Sequence, residues 1–95
     1  KRGRFRLIAA PDGADGSVTI HQDARVHAGL FDASETGRHE IANGRSAYVH
    51  VARGSASVNG HLLWAGDALK FIGTERVVLR DAHGAEAILF DLPGA

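Results

Sequence analysis

The stretch AYVHVARGSASVNGHLLWAGDAL, residues 47–69, decides the fold because it alternates β-prone runs with turn residues. Its first run ends at Arg53-Gly54, and a second run leads to Asn59-Gly60. Asn-Gly predicts a type I′ hairpin, since this turn needs positive φ at both central positions. Gly66-Asp67 then marks the beginning of another strand, which we expect over residues 68–72. The stretch therefore predicts consecutive antiparallel strands joined by short turns.

Alternation of apolar and polar residues predicts further strands before this stretch. Residues 17–22 (SVTIHQ) and 25–31 (RVHAGLF) both alternate in this way. Their Val, Ile, Ala and Leu positions are expected to face the core. Because successive side chains of a strand point to opposite faces, His21 and His27 are expected on the faces turned away from the core.

The remaining segments complete an all-β pattern. Residues 32–43 lack apolar periodicity and predict a loop with a short extended piece around residues 39–42. Residues 76–80 (RVVLR) and 85–92 (AEAILFDL) predict two more strands, and the second ends at Pro93, which cannot donate to a sheet. Turns about every 6–12 residues, about eight or nine short strands and no substantial helix predict an antiparallel sandwich or barrel.

Length and composition limit the classes of function. The 95 residues are enough for one domain, which we expect to span residues 1–95. Lys plus Arg equal Asp plus Glu at 11 each, so no net charge attracts the protein to nucleic acid or to anionic membranes. The absence of cysteine excludes disulfides, thiolate zinc sites and cysteine nucleophiles. No apolar run approaches the ~20 residues of a membrane span and no signal-peptide core opens the chain, so we expect a cytoplasmic protein.

The central stretch resembles the cupin superfamily, whose double-stranded β-helix is a small jelly roll. Residues 51–54 (VARG) are similar to the end of the first cupin motif, and residues 63–67 (LWAGD) to the beginning of the second. With residues 20–24 (IHQDA), the Val-Asn-Gly hairpin and residues 89–93 (LFDLP), nearly the whole chain resembles the C-terminal cupin domain of bacterial pirin-like proteins. Those proteins are bicupins, and some have quercetin 2,3-dioxygenase activity. The resemblance, with the absence of methionine even at position 1, implies that an N-terminal cupin precedes Lys1.

The resemblance also implies where a metal site would lie. Active cupins bind a divalent metal through His-x-His, a following Glu and a later His. When the motifs are aligned on their glycines, the ligand slots fall at Ile41, Asn43, Ala47 and Val77. A spacer one residue longer moves the two histidine slots to Glu40 and Ala42. The apolar slots imply that the standard site is lost and that this domain holds no metal cofactor. Iron, copper, nickel or manganese is then expected only in the N-terminal cupin.

The histidines outside those slots give one further candidate. The six histidines show neither His-x-His nor His-x-x-x-His spacing, and each is expected at the surface or half-buried. A non-standard metal site could draw only on His21, His27, His39 and Glu40. No serine lies in a nucleophile elbow and no phosphate-binding glycine loop is present, so we expect no catalytic residue in this domain.

Three functions are compatible with these observations. The first is a non-catalytic C-terminal cupin domain that packs against a metal-binding N-terminal cupin or against a second copy of itself. The second is a metal-dependent oxidoreductase resembling quercetin 2,3-dioxygenase, with the activity in the intact protein. The third is a jelly-roll module that binds a small molecule among apolar walls. The apolar ligand slots favour the first function.

Overall fold

The computed structural model describes residues 3–94, and Lys1, Arg2 and Ala95 of the expected domain lie outside this part of the chain. Within it, eight strands and one short 3-10 turn (Ala14–Gly16) make up the regular structure. The strands are β1 (Arg6–Ala10), β2 (Val18–Thr19), β3 (Arg25–Ala33), β4 (Gly37–Glu40), β5 (Arg45–Val58), β6 (His61–Trp64), β7 (Ala68–Ile72) and β8 (Arg76–Pro93). The predicted all-β class is confirmed. Residues 3–94 contain no helix long and apolar enough to cross a membrane.

Two long strands, β5 and β8, organise the fold because each takes part in two layers. The first half of β5 pairs with β7, and its second half pairs with β6. The beginning of β8 pairs with β4, and the rest of β8 pairs with β3. β5 and β8 also pair with each other along most of their lengths. One layer therefore runs β7-β5-β8-β3-β1-β2, the other runs β6-β5-β8-β4, and the core lies between them.

Residues with positive φ bend the two long strands where the sequence predicts turns. Gly54 has a φ of 67°, and a Cβ there would lie 2.2 Å from the carbonyl oxygen of His83, so only glycine fits. Asp81 and Gly84, with φ of 52° and 56°, bend β8. Pairing of β5 with β8 resumes after each register shift. The chain therefore continues through both turn signals as one bent strand, and not as the separate short strands that the sequence predicted.

The Asn59-Gly60 hairpin is confirmed. Both residues have positive φ, 49° and 84°, as the type I′ turn requires, and they join β5 to β6. The Asn59 side chain also ties the turn to β8. Its Oδ1 accepts a hydrogen bond from the backbone N–H of Val78 at 2.7 Å, and its Nδ2 donates to the carbonyl of Arg76 at 3.0 Å. Beyond the next turn, β7 has the predicted bounds.

Side chains from the inner faces of both layers fill the space between them. Val49 and Leu89 come from one layer and Val58 and Leu79 from the other, and all four are fully buried. Burial of each such side chain stabilises the folded state by about 1.5–3 kcal/mol relative to leaving it exposed. The interior of this jelly roll is therefore a packed core along most of its length.

β3 presents the opposite face to the one predicted. His27 and Phe31 point towards the interior, since His27 lies across from the buried Leu89 of β8. Leu30, expected in the core, is exposed on the outer surface. Both faces of β3 carry apolar residues, so alternation alone does not decide between them. The register of β3 with β8 determines which face points inward, and it places His27 on the inner face.

Two other predicted segments differ in extent. The strand expected over residues 17–22 is reduced to β2, and Val18 is 67% exposed. Among residues 3–94, β2 lies at the edge of its layer and pairs only with β1, so little of it can be buried. β4 begins at Gly37, earlier than the extended piece expected around residues 39–42, because it pairs with the beginning of β8.

Candidate functional site

Three of the four cupin ligand slots are hydrocarbon positions of the core. Ile41, Ala47 and Val77 are buried members of the hydrophobic cluster. Asn43, the fourth, is exposed in the turn before β5. In the register shifted by one residue, both histidine slots are exposed. The slots therefore offer a metal ion no set of converging donors.

Polar side chains nevertheless meet at one end of the interior, where β3 and β5 begin and β8 ends. We call this group the polar cluster, and its members are Asp23, His27, His39, Arg45 and Asp91. Asp91 lies directly across from the Ala47 slot, and His39 lies across from the Val77 slot. The cluster therefore borders the place where a cupin metal would be expected.

The carboxylate of Asp91 connects three strands. It is on the inner face of β8, and its side chain is only 9% exposed. Its Oδ1 accepts a hydrogen bond from Arg45 Nε at 2.5 Å, and its Oδ2 lies 2.8 Å from His39 Nε2. Burial alone would raise the pKa of Asp91, but the hydrogen bonds with Arg45 and then His39 outweigh burial and hold the pKa below its usual range. Asp91 is therefore a carboxylate anion at neutral pH.

Arg45 uses all three guanidinium nitrogens inside the polar cluster. Besides the bond from Nε to Asp91, Nη1 donates to both carboxylate oxygens of Asp23, at 3.1 and 3.2 Å. Nη2 donates to the carbonyl oxygens of Asp23 and Asp91. The hydrogen bond to Asp91 is the main reason that the pKa of Arg45 is raised. The guanidinium thus joins the segment before β3 to the end of β8.

His27 stacks at an angle on His39, with ring centroids 4.6 Å apart and planes tilted by 55°. Its Nε2 is buried and has no hydrogen-bond partner among residues 3–94. Burial lowers the pKa of His27 to about 4, and repulsion from His39 adds to the effect. His27 is therefore a neutral imidazole at neutral pH, with one ring nitrogen free of protein partners in the described part of the chain.

The four residues of the non-standard set are divided among three places. His27 and His39 come together in the polar cluster. Glu40 faces outward and pairs with Arg76, whose Nε is 3.1 Å from Glu40 Oε2, and His21 is exposed before β3. Asp91 was not among the site residues predicted from the sequence. One signal in the sequence could have indicated Asp91. The alternation of residues 85–92 places this aspartate on the same face as Ala85, Ala87 and Leu89.

The polar cluster does not fit a metal ion as it stands. Among residues 3–94, no group of three or more His, Asp and Glu side chains is placed to hold one. Both oxygens of Asp91 are engaged, one of them by a cation. A second cation at this carboxylate would be repelled by the guanidinium. We therefore derive no chemistry through a metal in this domain.

An open groove lies beside the polar cluster. It has a volume of about 320 Å³ and is lined by residues 41–45 and 73–75. Arg45 is its only lining residue from the polar cluster among the residues described. The groove is bounded by the loops before β5 and after β7, and the core residue Ile41 is among those that line it.

Comparison with known proteins identifies relatives along nearly the whole chain. The sequence profile of the quercetinase C-terminal cupin domain matches residues 7–92. The chain is 30% identical over 88 residues to quercetin 2,3-dioxygenase of Escherichia coli K12, an alignment that covers 93% of this chain and 38% of that protein.

Solved structures agree with this result. The bacterial pirin YhhW of Escherichia coli, in complex with nickel(II), superposes with a TM-score of 0.90 at 28% identity, covering 96% of this chain and 40% of that one. YhaK of Escherichia coli gives a TM-score of 0.83 at 26% identity, covering 94% and 41%. The predicted cupin jelly roll is confirmed. The chain spans about two-fifths of the length of these relatives.

Proposed function

Because this chain belongs to the family of quercetinase C-terminal cupin domains, as its sequence resemblance predicted, we propose that it is a non-catalytic cupin that supports a metal-binding one. In this proposal it is the C-terminal half of a cytoplasmic bicupin. The observation that carries the proposal is the hydrocarbon at the ligand slots. Ile41, Ala47 and Val77 fill the interior where an active cupin needs donor atoms.

A broad apolar surface supports the packing role. The outer face of the layer that contains β7, β5, β8 and β3 carries Ile72, Tyr48, Phe90, Ile88 and Leu30. Ile72, Tyr48 and Leu30 are exposed, and the Tyr48 and Phe90 rings lie 6.0 Å apart. Lys70, His50 and Glu86 lie on the same face, across from Tyr48, Ile88 and Leu30. Exposed apolar residues rimmed by polar ones mark an interaction site. The relatives are more than twice as long as this chain, so we assign the N-terminal cupin as the occupant of this outer face.

Metal analysis of the purified chain tests the proposal. The protein is incubated with nickel(II), iron(II), copper(II) or manganese(II), desalted, and measured by inductively coupled plasma mass spectrometry. We expect far less than one metal ion per chain. The nickel-binding pirin of Escherichia coli serves as the positive control. Stoichiometric, tightly held metal in this chain would overturn the proposal.

A second candidate function is quercetin 2,3-dioxygenase activity in the intact protein. It is favoured by the 30% identity to the Escherichia coli enzyme of that name. We expect no quercetin turnover by the isolated 95 residues, because no group of three or more His, Asp and Glu side chains among residues 3–94 is placed to hold a metal ion. Turnover by the isolated chain that is abolished by His39→Ala would assign the activity to this domain instead.

The groove beside Arg45 supports a third candidate, a small-molecule site. A thermal-shift screen of small organic acids and flavonols tests this function. Stabilisation that Thr74→Arg removes would support ligand binding in the groove, since Thr74 lines it. The absence of any stabilisation would leave the supporting role as the function of the domain.

A further inference from the structure

Both asparagines of the chain are followed by glycine, in the pairs Asn43-Gly44 and Asn59-Gly60. An Asn-Gly pair can rearrange without an enzyme, because glycine has no Cβ that would shield its backbone nitrogen. We propose that Asn43 is a site of spontaneous deamidation in the folded domain, and that its hydrogen bonds protect Asn59 from the same reaction. This modification does not depend on whether the domain binds a metal.

The reaction joins the side chain of Asn43 to the backbone of the next residue. The backbone nitrogen of Gly44 attacks Cγ of Asn43, so a C–N bond forms and the Cγ–Nδ2 bond breaks. The proton lost by the Gly44 nitrogen is returned to Nδ2, which leaves as ammonia. Water then opens the cyclic imide at one of its carbonyl carbons and yields aspartate or isoaspartate at position 43. Water is the only co-reactant, and no atom is oxidised or reduced.

The side chain and the attacking nitrogen are both unrestrained at Asn43-Gly44. Asn43 and Gly44 are exposed in the turn before β5. Among residues 3–94, the Asn43 amide makes no hydrogen bond and the N–H of Gly44 has no acceptor. One backbone hydrogen bond, from the N–H of Arg45 to the carbonyl of Ala42 at 3.0 Å, closes the turn. The Asn43 amide can therefore rotate towards the Gly44 nitrogen without breaking a bond of its own.

The side chain of Asn59, in contrast, is held at both of its polar atoms. Its Oδ1 accepts a hydrogen bond from the N–H of Val78 at 2.7 Å, and its Nδ2 donates to the carbonyl of Arg76 at 3.0 Å. Its backbone N–H also donates to the carbonyl of Val78 at 2.9 Å. Attack by the Gly60 nitrogen requires the side chain to leave β8. Breaking its two hydrogen bonds should slow the reaction at least about tenfold.

Deamidation at Asn43 would alter the groove beside Arg45. Asn43 lines this groove together with Glu75, so either product adds a carboxylate where one is already present. Isoaspartate also directs the main chain through the former side chain, which lengthens the turn by one carbon atom. Arg45 follows this turn and binds Asp91, so the altered backbone lies next to a residue of the polar cluster.

The test measures deamidation of the folded chain during incubation at mildly alkaline pH and body temperature. Trypsin places the two asparagines in separate peptides, residues 39–45 and 54–70. Mass spectrometry detects each conversion of amide to carboxylate as a gain of about one dalton over an unincubated sample. We expect Asn43 to react at least about tenfold faster than Asn59. Asn43→Gln should abolish the change in the first peptide and leave the second unaffected.

Incubation of the same chain in concentrated guanidinium chloride is the matched control. Unfolding removes the hydrogen bonds of Asn59, so its rate should rise at least about tenfold and approach that of Asn43. Equal rates in the folded chain, or a faster reaction at Asn59, would overturn the proposal. So would an Asn43 that reacts only in denaturant. A rate ratio that denaturant leaves unchanged would contradict the protection of Asn59 by its hydrogen bonds.

Discussion

At the residue scale, Asp91 connects the end of β8 to β4 and β5 through His39 and Arg45. A buried carboxylate in this position is costly unless both of its oxygens are satisfied. Without this carboxylate, His39 would lose its hydrogen bond to it, and Arg45 would keep its bonds to Asp23 and to the carbonyl oxygen of Asp91. The polar cluster is therefore a mutually supporting network within an otherwise apolar interior.

Removal of the Asp91 carboxylate should destabilise the domain. We expect Asp91→Ala to lower the free energy of unfolding by about 2–3 kcal/mol, below the ~3–5 kcal/mol of a fully buried pair because Arg45 is partly exposed. Urea unfolding followed by circular dichroism measures the difference. Glu86→Ala is the control, and should cost no more than about 1 kcal/mol because Glu86 pairs with Arg53 at the surface. Equal losses in the two variants would contradict the role assigned to Asp91.

The stability of the domain should fall on acidification in a window set by His27. The pKa of His27 is about 4 in the folded chain and 6.5 in its usual state, so between these values the unfolded chain binds a proton that the folded chain does not. Stability is therefore fully present above pH 6.5 and is lost as the pH falls towards 4. The lowered pKa of Asp91 adds a further loss as the pH falls below its usual value of 3.8.

Unfolding by urea at several pH values between 7.5 and 4.5, spacings of about one pH unit being sufficient, tests this prediction. His27→Gln should flatten the dependence between pH 6.5 and 4.5, because it removes the titrating imidazole. His21→Gln is the control, since His21 is exposed. The prediction fails if His27→Gln retains the same pH dependence as the unaltered chain.

At the element scale, the bend in β5 depends on Gly54. Its φ of 67° and the 2.2 Å approach of a Cβ to the His83 carbonyl combine backbone strain with a steric clash. We expect Gly54→Ala to lower the free energy of unfolding by about 2–3 kcal/mol. Gly73→Ala shares the positive φ, 71°, but its Cβ would meet no atom of residues 3–94 within 4 Å, and it should cost only about 1 kcal/mol. Thermal unfolding of both variants tests the difference, and an equal cost would contradict the clash.

The elements set by local chemistry were predictable from the sequence. The Asn59-Gly60 turn and β7 follow from turn residues and alternation, which act over a few residues. The face of β3 was not predictable in this way, because both of its faces are apolar and only pairing with β8 selects one. Likewise, Gly54 predicts a turn from local sequence. Because β5 pairs with β8 on both sides of it, Gly54 forms a bend within β5 instead.

The candidate site shows the same division between local and long-range information. The apolar character of the ligand slots could be predicted from motif spacing, since each slot is counted along the chain from a motif glycine. The polar cluster could not, because it joins residues from β3, β4, β5 and β8 that only the sheet topology brings together. Alternation in β8 gave one usable signal, an aspartate on the buried face at position 91.

At the scale of the whole molecule, the jelly roll has a filled interior, a polar end and an apolar outer face. These features suit a domain that packs against a neighbour more than one that encloses a ligand. The layer with β7, β5, β8 and β3 would present Tyr48 and Phe90 near the middle of such an interface. The N-terminal cupin is the occupant that we assign to it.

Hydrodynamic measurement of the isolated chain tests that assignment. We expect a monomer in sedimentation velocity that binds a hydrophobic dye at the uncovered outer face. Tyr48→Lys should reduce dye binding more than Arg38→Lys, a conservative change at an exposed position on the other layer. A dimer that Tyr48→Lys dissociates would show that a second copy covers this face, and would contradict the choice of the N-terminal cupin.

Anomalous diffraction at the nickel edge, from crystals of the unaltered chain grown with nickel(II), tests whether the domain is free of metal. We expect no anomalous peak within bonding distance of His27, His39 and Asp91, with Arg45 Nε still on the Asp91 carboxylate. A nickel ion bound by those three side chains, with Arg45 displaced, would contradict it.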